Sequence, residues 1–142
     1  MAKRVLVPID GSEQARTALE YALEEFAEET VTILHVIDPR EFNTYGGIDG
    51  WVDIDDLREQ RRAQAEKLIE DARERAAEHG ITASTDVVTG KVARAIVEYA
   101  VEHDVEHIVL GSHGRSGISR ILLGSVAENV VRRSPVPVTV VR

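Results

Sequence analysis

The chain of 142 residues contains no cysteine and no long apolar run. Without thiols it can build neither a disulfide framework nor a cysteine-ligated metal site. Its apolar stretches are too short for a signal-peptide core or a membrane span. We therefore expect no membrane partner and, by default, a cytoplasmic location.

Basic residues are scarce as well. Lysine occurs only at Lys3, Lys67 and Lys91, and the formal net charge is −8. A chain with this excess of acid offers no general basic face, so we expect no nucleic-acid partner. The acid-rich, lysine-poor composition fits a salt-adapted host and ordinary acidic variation equally well.

Short apolar runs alternate with amphipathic helical repeats along the whole chain. Hydrophobic residues make up 43% and charged residues 30%, which is typical of one soluble globular domain, here residues 1–142. The alternation predicts an α/β fold in which helices cover both faces of a parallel sheet. The predicted strands are residues 4–9, 31–37, 82–88, 106–110 and 136–141.

A glycine-rich loop joins the fourth predicted strand to the last helix. Gly111, Gly114, Gly124 and Ser125 give the spacing G-x2-G-x9-G-S. This is neither the phosphate-loop pattern, which needs a lysine after its last glycine, nor G-x-G-x-x-G. A strand, a glycine loop and a helix N-terminus gather backbone N–H groups around an anion. Glycine also permits positive φ and a close approach to a ligand. The alternative is a tight turn without a ligand.

The loop and two further segments together resemble the ATP-binding branch of the universal stress protein family. These segments are Val5-Leu6-Val7-Pro8-Ile9-Asp10-Gly11-Ser12 and Pro135-Val136-Pro137-Val138, so the resemblance covers nearly the whole chain. It implies a Rossmann-like, five-stranded parallel sheet in the order 3-2-1-4-5. It also implies a homodimer that pairs the C-terminal strand, residues 136–141, across a two-fold axis. Any ATP hydrolysis would be weak or partner-dependent.

In that strand order the chain changes direction across the sheet between strands one and four. Ligands in open α/β sheets bind at such a point, beyond the carboxyl ends of the strands. Asp10 follows strand one and Gly111 follows strand four. The topology and the glycine motif therefore indicate the same site.

The phosphates and ribose of a nucleotide need donors and positive charge at this site. The loop glycines, Arg115, Ser125 and the N–H of Val126 can serve the phosphates. Polar backbone at Gly111 and Ser112 can serve the ribose.

The adenine needs an apolar slot with backbone hydrogen bonds. Pro8, Ile9 and the end of strand two at Val36 could form that slot. By the resemblance, the ATP contacts of the family fall on Pro8, Asp10, Val36, Gly111, Gly114, Arg115, Gly124, Ser125 and Val126.

Two titratable residues near the site allow more than one interpretation. Asp10 could orient the nucleotide or hold Mg²⁺ through water, or it could accept local backbone hydrogen bonds. His113 could act as a general base, but no partner for it is visible in the sequence, so we interpret it as a solvent-facing loop residue. The other histidines show no metal-ligand spacing. The sequence thus predicts no catalytic residue and no protein metal site.

Residues 38–54 form a long connection that carries three glycines and Trp51, the only tryptophan. A lid or a partner surface is one interpretation, and an insertion without a role is the other.

The leading hypothesis is a cytoplasmic, ATP-binding stress or regulatory protein that acts through an unidentified downstream partner. One alternative is an adenylating enzyme of a related α/β fold, which would need a serine-glycine phosphate cluster after strand one. The other is a ligand-free dimeric scaffold like the non-ATP-binding branch of the same family, against which the intact motif argues.

Overall fold

Five strands alternate with four helices in the computed structural model, which describes residues 2–40, 54–113 and 123–142. The strands are β1 (Arg4–Pro8), β2 (Thr30–Ile37), β3 (Ser84–Thr89), β4 (His107–Gly111) and β5 (Val138–Val141). The helices are α1 (Glu13–Glu25), α2 (Ile54–Glu78), α3 (Val92–Glu102) and α4 (Ser125–Arg133).

All neighbouring strands pair in parallel, in the order β3-β2-β1-β4-β5. This confirms the predicted order and the predicted change of direction between β1 and β4. Val5 of β1 lies opposite Val31 of β2 on one side and opposite His107 of β4 on the other. The carboxyl ends of these three strands therefore meet at one edge of the sheet.

Most element ends lie within two residues of the predicted ones. β5 begins at Val138, two residues later than predicted, directly after Pro137. The last helix is shifted more. The amphipathic run over residues 122–131 predicts a helix there, whereas the helix spans Ser125–Arg133. Most of the 38–54 connection, for which the sequence allows a lid, a partner surface or an insertion without a role, lies outside the described residues.

The central strands β1 and β4 are buried on both faces because they are apolar at most positions. Val5, Val7 and Val109 face α1 and α2, whereas Leu6 and Ile108 face α3 and α4. All five side chains are at most 1% exposed. Burial of each such side chain contributes about 1.5–3 kcal/mol, so these two layers dominate the stability of the fold.

The residue types in the turn from β1 into α1 predict an N-cap at Ser12, and the structure confirms it. Gly11 has φ of +83°, which glycine adopts without a steric penalty. The Ser12 hydroxyl accepts a hydrogen bond from the Ala15 N–H at 3.1 Å, as an N-cap residue does. The first helix therefore begins at the carboxyl edge of the sheet.

Ion pairs fix α2 against α1. The Arg75 guanidinium and the His79 ring both contact the Glu20 carboxylate, and the hydrogen bond from Arg75 lowers the pKa of Glu20. Helix α2 has 25 residues and is rich in charge. None of the described helices has the apolar stretch that a bilayer core requires. The contacts with Glu20 fix the C-terminal end of α2 against α1.

Gly111 is required by packing at the end of β4. A Cβ built at this position would lie 2.8 Å from the carbonyl carbon of Gln14 and 2.9 Å from its oxygen. Gln14 belongs to the first turn of α1, whose backbone cannot retreat without moving the helix. The first glycine of the motif thus lets α1 approach the sheet.

We predict that Gly111→Ala destabilises the fold by about 1–3 kcal/mol or more, the usual cost of overpacking a tight site. Denaturant unfolding measures the loss directly. Gly124→Ala is the matched control, because Gly124 has φ of −63°, which any residue adopts, so this variant should lose no more than the glycine N-cap, on the order of 1 kcal/mol. An unchanged midpoint for Gly111→Ala would contradict the packing argument.

Candidate functional site

A cleft of about 840 Å³ opens at the carboxyl edge of the sheet. Its walls come from the ends of β1, β2 and β4, from the first half of α2, from the first turns of α3 and from the start of α4. Seven of the ten predicted site residues line it: Pro8, Asp10, Val36, Gly111, Gly124, Ser125 and Val126. Of the others, Ser112 is buried and does not line the cleft, and Gly114 and Arg115 lie outside the described residues.

The N-terminus of α4 forms one end of the cleft. Gly124 is the N-cap residue and offers no side chain to the helix, so no described side chain caps it. The first N–H groups of a helix have no intrahelical acceptor and carry the positive end of the helix dipole. Those of Ser125 and Val126 are therefore suited to an anion.

The motif glycines that the structure describes do not use positive φ, contrary to the sequence expectation. Gly124 has φ of −63° and ψ of 161°, and Gly111 is not among the described glycines with positive φ. At Gly111 glycine is needed because a side chain would clash with the backbone of α1. At Gly124 the backbone conformation does not require glycine, so a close approach to a ligand remains the reason to expect glycine there.

Ser112 ties the motif to the sheet. It is 2% exposed, and its N–H donates to the Val141 carbonyl at 2.8 Å. Its carbonyl accepts from the Gly124 N–H at 2.7 Å. Residues separated by the whole loop are thus joined, and the start of α4 is held against the end of β4.

The opposite end of the cleft is apolar. Pro8, Ile9 and Val36 line it, and the Ile9 N–H donates to the Leu34 carbonyl at 2.8 Å. His35 also lines the cleft, and its Nδ1 donates to the Ile9 carbonyl at 2.8 Å. A carbonyl only accepts, so Nδ1 carries the hydrogen. Sequence reasoning missed His35 because no local pattern links it to Ile9.

Asp10 stands between the two ends of the cleft. Its Oδ1 accepts from the Ser12 N–H at 2.9 Å, a local turn that fixes the carboxylate. The same residue lines the cleft. Asp10 therefore accepts the local backbone hydrogen bond and also lies at the cleft, where the functional interpretation requires it.

His113 does not face solvent as the sequence suggested. The residue is half-buried and lines the cleft, and its Nδ1 lies 3.0 Å from the Ser112 hydroxyl. Its Nε2 is shielded from solvent and has no hydrogen-bond partner among the described residues. The solvent-facing interpretation is wrong because Ser112 holds the ring against the end of β4.

Helix α2 supplies cleft residues that the sequence gave no reason to select. Arg61, Gln64 and Leu68 line the cleft, although their helix follows a long connection.

The basic pair at Arg132 and Arg133 lies in the last turn of α4. That turn is about 12 Å from the helix N-terminus at 1.5 Å per residue, so this charge is not part of the cleft.

A buried carboxylate closes the end of β2 next to the apolar wall. Asp38 is 8% exposed and accepts hydrogen bonds from Arg40 Nε at 3.0 Å and Nη2 at 2.6 Å. The hydrogen-bonded Arg40 guanidinium holds the pKa of Asp38 below its ordinary value, against the opposing effect of burial.

Comparisons of the sequence and of the structure with known proteins all find universal stress proteins. A model of the universal stress protein family matches residues 1–142. A universal stress protein of Bacillus subtilis is 36% identical over 149 residues that cover all of both chains. The solved structure of a universal stress protein of Lactobacillus plantarum is 25% identical, covers 99% of this chain and 97% of its own, and superposes with a TM-score of 0.82.

One similar structure holds a nucleotide. A universal stress protein solved in complex with cAMP is 26% identical and covers 99% of this chain and 97% of its own, with a TM-score of 0.70. Its ligand is a property of that protein.

We predict that Arg40→Ala raises the pKa of Asp38 toward its ordinary value, as read from the carboxyl carbon in an NMR titration. Because the folded pKa is depressed, the pair adds stability above the unfolded pKa and loses it as the pH falls through the folded pKa. The variant should therefore unfold at a higher pH in acid. Arg40→Lys, which keeps the charge and loses the planar fork, should fall between the two. An unchanged Asp38 titration in Arg40→Ala would refute the pairing.

Proposed function

Because the chain belongs to the universal stress protein family, we propose that it is a cytoplasmic, homodimeric stress-response protein that binds ATP with Mg²⁺. One observation carries the proposal. The uncapped N-terminus of α4 and the apolar slot at Pro8 and Val36 face the same cleft, although they come from opposite parts of the sequence. A nucleotide, which is anionic at one end and apolar at the other, matches this pair.

The phosphates lie at the start of α4 in this proposal. The N–H groups of Ser125 and Val126 and the Ser125 hydroxyl donate to them, and Gly124 leaves room for their approach. Gly114 and Arg115 contribute from the same loop, by the family resemblance. Ser112 acts from beneath by holding Gly124 in place.

The base and ribose lie toward β1 and β2. Pro8 and Val36 enclose the adenine, Gly111 borders the ribose, and Asp10 orients the ribose or holds Mg²⁺ through water. A volume of about 840 Å³ is within the usual range for ligand pockets. The cAMP complex of a related protein supports a nucleotide as the ligand class.

We propose binding without rapid turnover, with ATP occupancy changing the surface that a downstream protein recognises. The rival adenylating enzyme would need free phosphate donors just after β1. Here the hydroxyl of Ser12 caps α1 and the N–H of Ser12 donates to Asp10. Because both groups are already used, we favour a binding protein over the adenylating enzyme. Native mass spectrometry of the purified protein separates the hypotheses by the bound mass: ATP, another adenylate or nothing.

The proposed dimer uses the free edge of β5. The N–H groups of Ile108 and Ser112 donate to the carbonyls of Pro137 and Val141. Residues 137, 139 and 141 therefore face β4, and the backbone groups of Val138 and Val140 face outward. All four residues of β5 are half-buried. An apolar edge of this kind promotes aggregation unless a second strand covers it.

We predict the ATP affinity order wild type, then Ser125→Ala, then Gly124→Val. Loss of the Ser125 hydroxyl removes one hydrogen bond to a charged group, about 1.5–3 kcal/mol. The valine side chain of Gly124→Val would occupy the place of the phosphate oxygens. Titration calorimetry measures the series, and steady-state hydrolysis should be slow in all three proteins.

Circular dichroism is the folding control for this series. Valine can adopt the backbone angles of Gly124, and the loss of a glycine N-cap costs on the order of 1 kcal/mol, so the variant should fold. A folded Gly124→Val that binds ATP as tightly as the wild type would rule out phosphates at the start of α4.

We predict that Val138→Pro gives a folded monomer in light scattering. Proline removes an outward N–H that pairing across the two-fold axis would use, and it is tolerated at the first residue of a strand. Thr139→Pro is the matched control, because it removes an N–H that faces β4 and should instead destabilise the fold. A folded Val138→Pro that remains dimeric would exclude this interface.

A further inference from the structure

His35 already uses one of its two ring nitrogens within the fold. Its Nδ1–H donates to the carbonyl of Ile9 at 2.8 Å, which joins β2 to the residue that follows β1. In a neutral imidazole only one nitrogen carries a hydrogen, so Nε2 of His35 presents a lone pair and accepts hydrogen bonds. The Ile9 carbonyl thus determines that the other edge of the ring is an acceptor.

The Nε2 edge of this ring is accessible. His35 is half-buried, and no described residue forms a hydrogen bond with its Nε2. This atom is also not among the described side-chain atoms that are both unpaired and shielded from solvent, so it keeps accessible surface. His35 lines the cleft, and its strand is paired on both sides, with β1 and with β3. The accessible edge of the ring therefore opens toward the cleft.

This acceptor lies at the end of the cleft opposite to the N-terminus of α4. His35 bonds to Ile9 and precedes Val36, and both of these residues line the apolar slot. Successive side chains of a strand point to opposite faces, so His35 and Val36 border the cleft from the two faces of β2. The ring of His35 therefore adds a directional acceptor beside an apolar wall.

An acceptor at the base end of the cleft requires a donor on the ligand, because a polar group that is enclosed without a partner is costly. Adenine carries an amino group at position 6, and this group donates hydrogen bonds. Hypoxanthine and guanine carry a carbonyl oxygen at the same position, which only accepts. The lone pair of His35 matches the amino group and opposes the carbonyl oxygen.

We propose that His35 is a specificity-determining residue whose Nε2 accepts a hydrogen bond from the 6-amino group of the bound base. The inference rests on the proposed ATP-binding function and adds to it a side chain that reads the base. The bond from His35 to Ile9 is then part of the recognition, since it keeps the hydrogen off the nitrogen that meets the ligand.

The test compares ATP with purine riboside triphosphate, which has hydrogen in place of the 6-amino group. Titration calorimetry measures both affinities in the wild type and in His35→Asn. The asparagine amide reaches the place of Nδ1, so it keeps the bond to the Ile9 carbonyl and removes the acceptor. The preference of the wild type for ATP should fall about two- to tenfold in His35→Asn, the net value of a hydrogen bond between neutral groups. The affinity for purine riboside triphosphate should stay within about twofold.

His103→Asn is the matched control. The Nδ1 of His103 likewise bonds to a backbone carbonyl, that of Tyr99 at 3.0 Å, but the residue lies outside the set that lines the cleft. This substitution should leave both affinities unchanged.

The outcomes separate the inference from the proposed function. If the wild type binds no ATP, the proposed function fails and this inference with it. If the wild type binds ATP and folded His35→Asn keeps the same preference, only the inference fails. An equal loss of both affinities in His35→Asn would mean a structural role for His35 and would also overturn the inference.

A spectrum of histidine labelled with ¹⁵N gives a readout without substitution in the tested protein. The His35 signals, assigned by their disappearance in His35→Asn, should show hydrogen on Nδ1 in the neutral ring. The Nε2 signal should shift on addition of ATP, and it should shift less on addition of purine riboside triphosphate. A neutral ring with hydrogen on Nε2, or equal shifts with the two nucleotides, would contradict the proposal.

Discussion

The hydrogen bond from the Gly124 N–H to the Ser112 carbonyl, 2.7 Å long, is the contact on which the site depends. It joins the end of β4 to the start of α4 across the glycine loop. Ser112 is held in turn by its own N–H on Val141 of β5. Backbone hydrogen bonds therefore fix the N-terminus of α4 to the sheet, in addition to the packing of its apolar side chains.

The two motif glycines that the structure describes serve different purposes. Gly111 allows the backbone of Gln14 to approach β4, and a Cβ would meet that backbone at 2.8 Å. Gly124 has ordinary angles and caps a helix without a side chain. A sequence motif usually attributed to ligand contact thus also encodes the packing of α1 on the sheet, so its loss would affect folding and binding together.

Histidines at the two ends of the cleft are oriented by the groups beside them. The ring of His35 donates to the Ile9 carbonyl, which fixes its tautomer, and the ring of His113 meets the Ser112 hydroxyl. A cleft in an acidic protein can still favour an anion when its donors are neutral N–H groups and a helix dipole. The net charge of −8 is therefore compatible with a nucleotide site.

The sequence by itself determined the α/β class, the alternation of elements, the Ser12 cap and, through the family resemblance, the strand order and seven of the residues that line the cleft. The first three of these features follow from local chemistry: apolar runs form buried strands, and capping residues and glycines act on their immediate neighbours. Only the tertiary structure showed the burial of His113, the His35–Ile9 bond, the α2 wall and the reason for Gly111. Each of these depends on contacts between residues that are distant in the sequence, or on how a loop residue packs against the end of a strand. The spacing of residues along the sequence does not encode such contacts.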